Sequence, residues 1–412
     1  MKSKPGWTPN PRERLRGAAI LFTTNVIVTI GGVMIAPLLP VFAQRAGAAG
    51  AWMGALFAVD MVARTAAMPL CGRASDRLGR RPFLLMGLLI FVAASFAFTL
   101  TSGKMTLLLV RTLQGLGAGM VIPVIMAYFG EFAAPSREAF AMGTLNISFF
   151  GGLALGPFLG GLLESRFSLD APFYFLAAAG LLIGGIIFLF LPESAARGRA
   201  AGGQEASRGA TSAPWRELLA SGTLRRLCAH RFLVSFGIST AWAFVPLYAV
   251  RALGLSTYDA GIAVGSITLF TAVLISPGGS LADRVDRWRV IVGGSLLLSV
   301  CLAAVPWSGG FWALVAVCGA MGLAQALYMP AAYALMVGEG RKLGMGASLG
   351  VYSTSLTLGL AAGPIVSGPV VDAFGLRVPF VIVGLLGLLA SVAAVRRRAI
   401  VKAAPEISGS GG

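Results

Sequence analysis

Twelve long apolar segments follow one another along this chain, at about 17–44, 51–71, 83–101, 106–128, 139–163, 172–192, 231–250, 258–279, 289–306, 309–336, 345–371 and 378–395. Each is long enough to cross a hydrocarbon layer of about 30 Å as a helix. Such spans must be helical, because lipid gives an open backbone no partner and the alternation of a barrel strand is absent. Composition agrees, with 57% hydrophobic and 12% charged residues, where soluble domains carry about 45–50% and about 25%. The expectation is an all-α, multi-pass membrane protein whose constant partner is the lipid bilayer.

A net charge of +17 suggests nucleic acid at first sight. That reading needs a basic face with base-contacting groups, and the Lys and Arg residues lie elsewhere, so no nucleic-acid partner is expected. If the N-terminus is inside, 26 of the 33 Lys and Arg residues fall on one side and five on the other: Arg45, Lys104, Arg166, Arg251 and Arg377. The excess places both termini in the cytoplasm, as for a protein of a bacterial inner (plasma) membrane. It leaves Arg64 and Arg111 inside the bilayer. No cleavable signal peptide is read, since the first apolar run is too long and continues through Pro37 and Pro40. Cys71, Cys228, Cys301 and Cys318 lack metal or disulfide spacing and read as apolar packing residues.

The chain repeats itself at an offset of 207 residues, which relates Gly72, Asp76 and Arg77 to Gly279, Asp283 and Arg284, Pro123 to Pro330, and Gly156–Pro157 to Gly363–Pro364. A duplicated six-helix unit implies two pseudo-symmetric bundles with a substrate site between them. The expected division is 1–192 for the first bundle, 193–230 for a flexible cytoplasmic linker, 231–395 for the second bundle and 396–412 for a cytoplasmic tail. A monomer is expected.

The stretch GRASDRLGRR between spans 2 and 3 holds Gly72, Asp76, Arg77, Gly79, Arg80 and Arg81. It resembles the loop signature of the major facilitator superfamily. The resemblance extends over the whole chain, through the 6+6 repeat, the weaker copy GSLADRVDR at 279–287, RTLQGLGAG at 111–119 and GGLALGPFLGG at 151–161. It implies the major facilitator fold and a role for the loop: its glycines turn tightly and its Asp meets a helix N-terminus and basic side chains, latching the cytoplasmic ends of the halves. A carboxylate at a helix N-terminus is worth about 0.3–1 kcal/mol when exposed and up to about 2 when partly buried, enough to bias two states and weak enough to break. Glu131 and Arg137 are its expected partners, and Asp283 with Arg284 forms the second copy. There Asp286 replaces the glycine matching Gly79, which loosens that copy.

In span 5, Gly152, Gly156 and Gly160 permit close helix approach and Pro157 permits a bend. This pattern resembles the span-5 signature of exporters that exchange drug-like or metabolite substrates for protons. A packing motif shared by many carriers is the plainer reading, and Gly359 and Gly363–Pro364 repeat it.

Charge inside a membrane is costly and marks function. Asp60 lies mid-span with Arg64 one turn on, and Arg111 enters span 4 with Gln114 one turn further in. None is repeated at +207. Asp60, with Arg64 and Arg111, is the expected proton-coupling group; a static Asp60–Arg64 ion pair is the alternative. Asn25, Gln114, Asn146, Phe149, Trp242, Tyr248, Gln325 and Tyr328 are candidates for the substrate cavity. His230 reads as interfacial, and Asp259 as a cap of span 8. Without a P-loop, metal cluster or paired nucleophile, no enzyme activity, metal or cofactor is expected. The sequence reads as a proton-coupled exporter of small organic molecules that works by alternating access. A symporter importing a small solute, a lipid translocator and a ligand sensor that transports nothing are the alternatives.

Overall fold

The structure, a computed structural model, describes residues 11–38, 41–42, 50–101, 103–132, 138–193 and 220–403. These hold twelve long helices: α1 (Pro11–Met34), α2 (Gly50–Leu78), α3 (Arg80–Thr99), α4 (Lys104–Phe132), α5 (Glu138–Arg166), α6 (Ala171–Phe190), α7 (Gly222–Leu253), α8 (Thr257–Arg284), α9 (Arg287–Ala304), α10 (Phe311–Leu343), α11 (Met345–Phe374) and α12 (Val378–Ala403). Eleven are long and apolar enough to cross a membrane, and the apolar part of α12, Val378–Ser391, is shorter.

Helix ends follow local chemistry. Ser256 and Asp259 form a reciprocal capping box at the start of α8, so Ser256 is the cap and Asp259 its third-residue partner. Ser221 caps α7 through the Leu224 amide at 3.2 Å, which starts that helix nine residues before the apolar run at 231 and takes in part of the expected linker. The charged stretch 72–78 is likewise no loop: it forms the last turns of α2. Nothing in ASDRL breaks a helix, and the turn falls on Gly79 alone, at φ 111°.

Packing repeats along with the sequence. In the first half α1 lies on α5, α2 on α4, and α3 on α4 and α6; in the second half α7 lies on α11, α8 on α10, and α9 on α10 and α12. The result is two six-helix bundles. Between them α2 packs on α11 and α5 on α8.

The apolar core differs between the two ends of the molecule. At the end bearing the α1–α2 turn, one cluster runs across both halves, from Ile35, Phe42 and Phe98 to Phe244, Ala260 and Phe380. At the end bearing the termini, each half keeps its own cluster, with Leu84, Phe129 and Ile187 in one and Leu227, Ala282 and Met336 in the other. The bundles are therefore joined at the face away from the termini.

Candidate functional site

A run of glycines places the first charge cluster. Cβ atoms at Gly115 and Gly119 of α4 would meet the backbone oxygens of Asp60 and Arg64 at 2.5 and 2.6 Å, so only glycine lets α4 lie this close to α2. The glycines of RTLQGLGAG at 111–119 thus serve as this seat. It brings Arg111 within 4.0 Å of Asp60, whose other carboxylate oxygen accepts from Arg64 Nη2 at 3.0 Å. Asp60 and Arg111 are both 0% exposed, while the Arg64 side chain retains 17%. Arg111 also donates to Gln114 Oε1 at 2.7 Å and to the Leu56 carbonyl at 3.2 Å, and Gln114 donates to the Gly31 carbonyl at 3.1 Å. Two guanidinium groups share one carboxylate, so the cluster carries one positive charge beyond neutrality when Asp60 is ionised. Asp60 Oδ1, Arg64 Nε and Arg111 Nη2 have no hydrogen-bond partner.

The expected cavity residues separate. Asn25 donates to Ser148 at 2.7 Å and bridges α1 to α5. Gln114 belongs to the charge cluster. Tyr248 is fully buried, donates to the Pro306 carbonyl at 2.9 Å and meets the Phe380 ring edge-on. Asn146 is exposed, and Phe149 is half-buried with an edge-on contact to Phe150. Gln325 and Tyr328 are buried, and the half-buried Trp242 has an Nε1 with no partner. His230 turns into the second bundle, with Nε2 2.6 Å from Ser295 Oγ and its ring edge-on to Tyr328.

At the face of the termini, the side chains of Asp76, Arg77 and Glu131, and all of Arg137, lie outside the described residues. The described carboxylate at this helix start is Glu193, which sequence reasoning missed. It accepts from the Arg80 and Arg81 amides at 2.9 and 3.3 Å, and Arg81 in turn reaches the Phe188 carbonyl. Gly79 has no side chain to cap α3, so the chain supplies the acid from beyond α6. Gly72 sits inside α2 and faces Pro123. In the second half Asp286 caps α9 itself, accepting from the Arg289 amide at 3.0 Å, so this copy needs no distant acid. Asp283 pairs weakly with Arg287 at 3.7 Å and Arg284 is exposed. Replacing Glu193 by alanine is expected to cost about 1 kcal/mol, seen as a lower thermal midpoint of the purified protein; an unchanged midpoint would show the carboxylate idle.

Gly152, Gly156 and Gly160 receive α1, with would-be Cβ atoms meeting Thr29, the Ile30 carbonyl and the Met34 carbonyl. Pro157 lies within an unbroken helix, and its carbonyl faces Gly261 across the two halves. The same approach recurs where Gly54 faces the Pro364 carbonyl, and Gly161 with Thr257 matches Gly368 with Gly50. Two acids fasten this face. Asp372 accepts from the Gly50 and Ala51 amides at 2.5 and 2.8 Å, and Glu164 accepts from the Thr257 hydroxyl. Each acid at the end of one helix thus meets the start of a helix in the other half. Among the described residues no group of three His, Cys, Asp or Glu is placed to hold a metal.

A family model described as Major Facilitator Superfamily matches residues 21–267 and 227–410. The chain is 23% identical over 365 residues to the uncharacterized MFS-type transporter MJ1560 of Methanocaldococcus jannaschii, covering 87% of this chain and 92% of that protein. It is 24% identical over 360 residues to the quinolone resistance protein NorA of Staphylococcus aureus, covering 86% and 89%. Among solved structures, a bacterial homolog of the human lysosomal transporter Spinster, in its inward-facing and occupied conformation, superimposes with a TM-score of 0.78 at 16% identity, covering 99% and 100%.

Proposed function

Because this chain belongs to the major facilitator superfamily, we propose that it is a proton-coupled exporter of small organic molecules that works by alternating access between its two bundles. The observation that carries the coupling is Asp60, a fully buried carboxylate of α2 shared by Arg64 of the same helix and Arg111 of α4, with α2 also packing against α11. Protonating Asp60 removes the attraction that holds Arg64 and Arg111 and raises the cluster's charge by one, a change large enough to shift how α2 packs.

Direction is supported by charge and by likeness. The excess of Lys and Arg supports cytoplasmic termini in a bacterial inner membrane, and on that reading the joined face is the outer one and the end with separate cores faces the cytoplasm. Export from that state is consistent with the quinolone resistance of NorA. Asp76, Arg77, Arg80, Arg81, Glu131, Arg137, Asp283 and Arg284 remain the proposed cytoplasmic gate, which re-forms when the outer face opens. The carrier works as a monomer with no cofactor.

The test is uptake of norfloxacin into inside-out proteoliposomes under an imposed pH gradient. The wild type is expected to concentrate it, and Asp60→Asn to lose gradient-driven accumulation by tenfold or more while still exchanging norfloxacin across the membrane. Full gradient-driven flux in Asp60→Asn would remove Asp60 from coupling. Absence of any solute movement in the wild type would sink the carrier reading.

A further inference from the structure

The second bundle holds a buried cation of its own that the sequence reading counted among the cytoplasmic charges. Arg231, ten residues into α7, is only 5% exposed. Its guanidinium carbon lies 5.6 Å from the Tyr333 ring centre on α10 and 5.4 Å from that of Tyr352 on α11, and the two rings meet edge-on at 5.6 Å. Among the described residues no carboxylate pairs with it. Its Nε is buried without a hydrogen-bond partner, and so are the Tyr352 hydroxyl and the hydroxyl of Ser348, one turn before Tyr352 on α11.

Buried polar groups in folded proteins nearly always have partners, and a guanidinium stripped of water without a counter-charge is among the costliest exceptions. Tyrosine faces ease that cost through the ring quadrupole but leave the N–H donors unmet. An unmet guanidinium N–H with the unmet Tyr352 hydroxyl on the ring beside it specifies the missing partner: it accepts hydrogen bonds and is negatively charged, and Ser348 lies one helical turn from Tyr352. The cluster has an open side as well. Tyr333 is 40% exposed although it touches α7 and α11 at once, and this end of the molecule is where the two bundles keep separate cores.

We infer that Arg231, Tyr333, Tyr352 and Ser348 form an anion subsite in the second bundle, and that the carrier's substrates are small organic anions whose carboxylate or sulfonate group seats on Arg231 with an aromatic or apolar body against Tyr333. The inference rests on the carrier reading. A planar guanidinium fork binds such groups through two parallel hydrogen bonds. The first bundle adds to the preference, since Asp60 with Arg64 and Arg111 leaves one further positive charge. A solute carrying one negative charge then meets a cation in each half.

The test compares naphthalene-2-sulfonate with the neutral naphthalene-2-sulfonamide of nearly the same shape, read by thermal shift of the purified full-length protein. The sulfonate is expected to raise the midpoint and the sulfonamide to leave it unchanged. Arg231→Gln should weaken sulfonate binding about tenfold or more, and Arg231→Lys less. Should Arg231→Gln fail to fold, Tyr333→Leu, on the open side, should still weaken the sulfonate severalfold. Equal response to both probes, no response to the sulfonate, or unchanged sulfonate binding in the variants would overturn the subsite. The carrier reading fails on a separate readout, norfloxacin flux in proteoliposomes, which stands or falls whatever the thermal shifts show.

Discussion

Alanine at Gly54 or at Gly261 is expected to cut transport by about tenfold or more while leaving helix content and expression unchanged. A Cβ at either position would fall inside 3.0 Å of a proline carbonyl oxygen in the other half, Pro364 for Gly54 and Pro157 for Gly261. Backbone oxygens within packed helices cannot swing aside, so the two helices must part. Overpacking of this kind costs typically about 1–3 kcal/mol, and each 1.4 kcal/mol shifts an equilibrium tenfold. The loss cannot come from a weakened helix, because alanine favours helix over glycine by up to about 1 kcal/mol. It comes from the joined face, which the proposed alternating-access cycle has to form once per turn. The two positions oppose the same rigid-body closure, so the double variant is expected to lose about a hundredfold. Gly184→Ala on α6, where nothing lies within 4 Å of a Cβ, is the control and should transport normally. Normal norfloxacin flux in Gly54→Ala and Gly261→Ala together would show that this closed face is no step in the cycle.

Those glycines show what the sequence makes legible. Apolar length alone placed the helices, because a span has only one way to satisfy its backbone in lipid. The offset of 207 residues was also legible, and it pairs Gly54 with Gly261 and Pro157 with Pro364. What it does not tell is that each glycine faces the proline of the opposite half, since a repeat relates like to like and says nothing of what crosses between copies. Asp372 and Glu164 were passed over for the same reason. In the sequence each is an acid at the edge of a span, and its partner at Gly50 or Thr257 lies in the other half of the chain.

Arg231 and His230 failed in another way. Position along a span measures depth, and both sit near the start of one, where charges usually reach water. Depth does not give the face of the helix. Neighbouring residues point about 100° apart, and here one turns toward α9 and α10 and the other toward α10 and α11. Asp60 was legible because a charge this deep in a span is costly on any face without a partner or a water-filled cavity, and Arg64 one turn on could be paired with it by helix geometry. That Arg111 would join them depended on the glycines of α4, whose meaning appears only once α2 is laid against them.

Asp60→Leu is expected to be the most damaging single substitution in the first bundle, and Arg111→Met to rescue part of the damage. With Asp60 gone, the fully buried Arg111 loses its counter-charge beside the partly exposed Arg64, and breaking a buried ion pair from one side typically costs about 3–5 kcal/mol. Arg111→Met alone does the opposite: it leaves Asp60 and Arg64 as a balanced pair at 3.0 Å and removes the cluster's fully buried cation. Its cost is the bonds to Gln114 and to the Leu56 carbonyl, each worth about 1 kcal/mol, up to about 3 where charge is involved. In the double variant Arg64 remains alone, and its side chain keeps a path to water. Thermal unfolding of the four proteins closes a double-mutant cycle, and a coupling of 0.5–3 kcal/mol is the usual range for groups in contact. A double variant more stable than Asp60→Leu would show that charge imbalance, not the change in side-chain volume, is what Asp60 corrects. It would also explain why a proton on Asp60 can move helices: protonation imposes the same imbalance reversibly, and parting α2 from α4 is the way to relieve it. Simple additivity of the two substitutions would mean that the 4.0 Å approach of Arg111 to Asp60 carries no energy, and the coupling role would then rest on Arg64 alone.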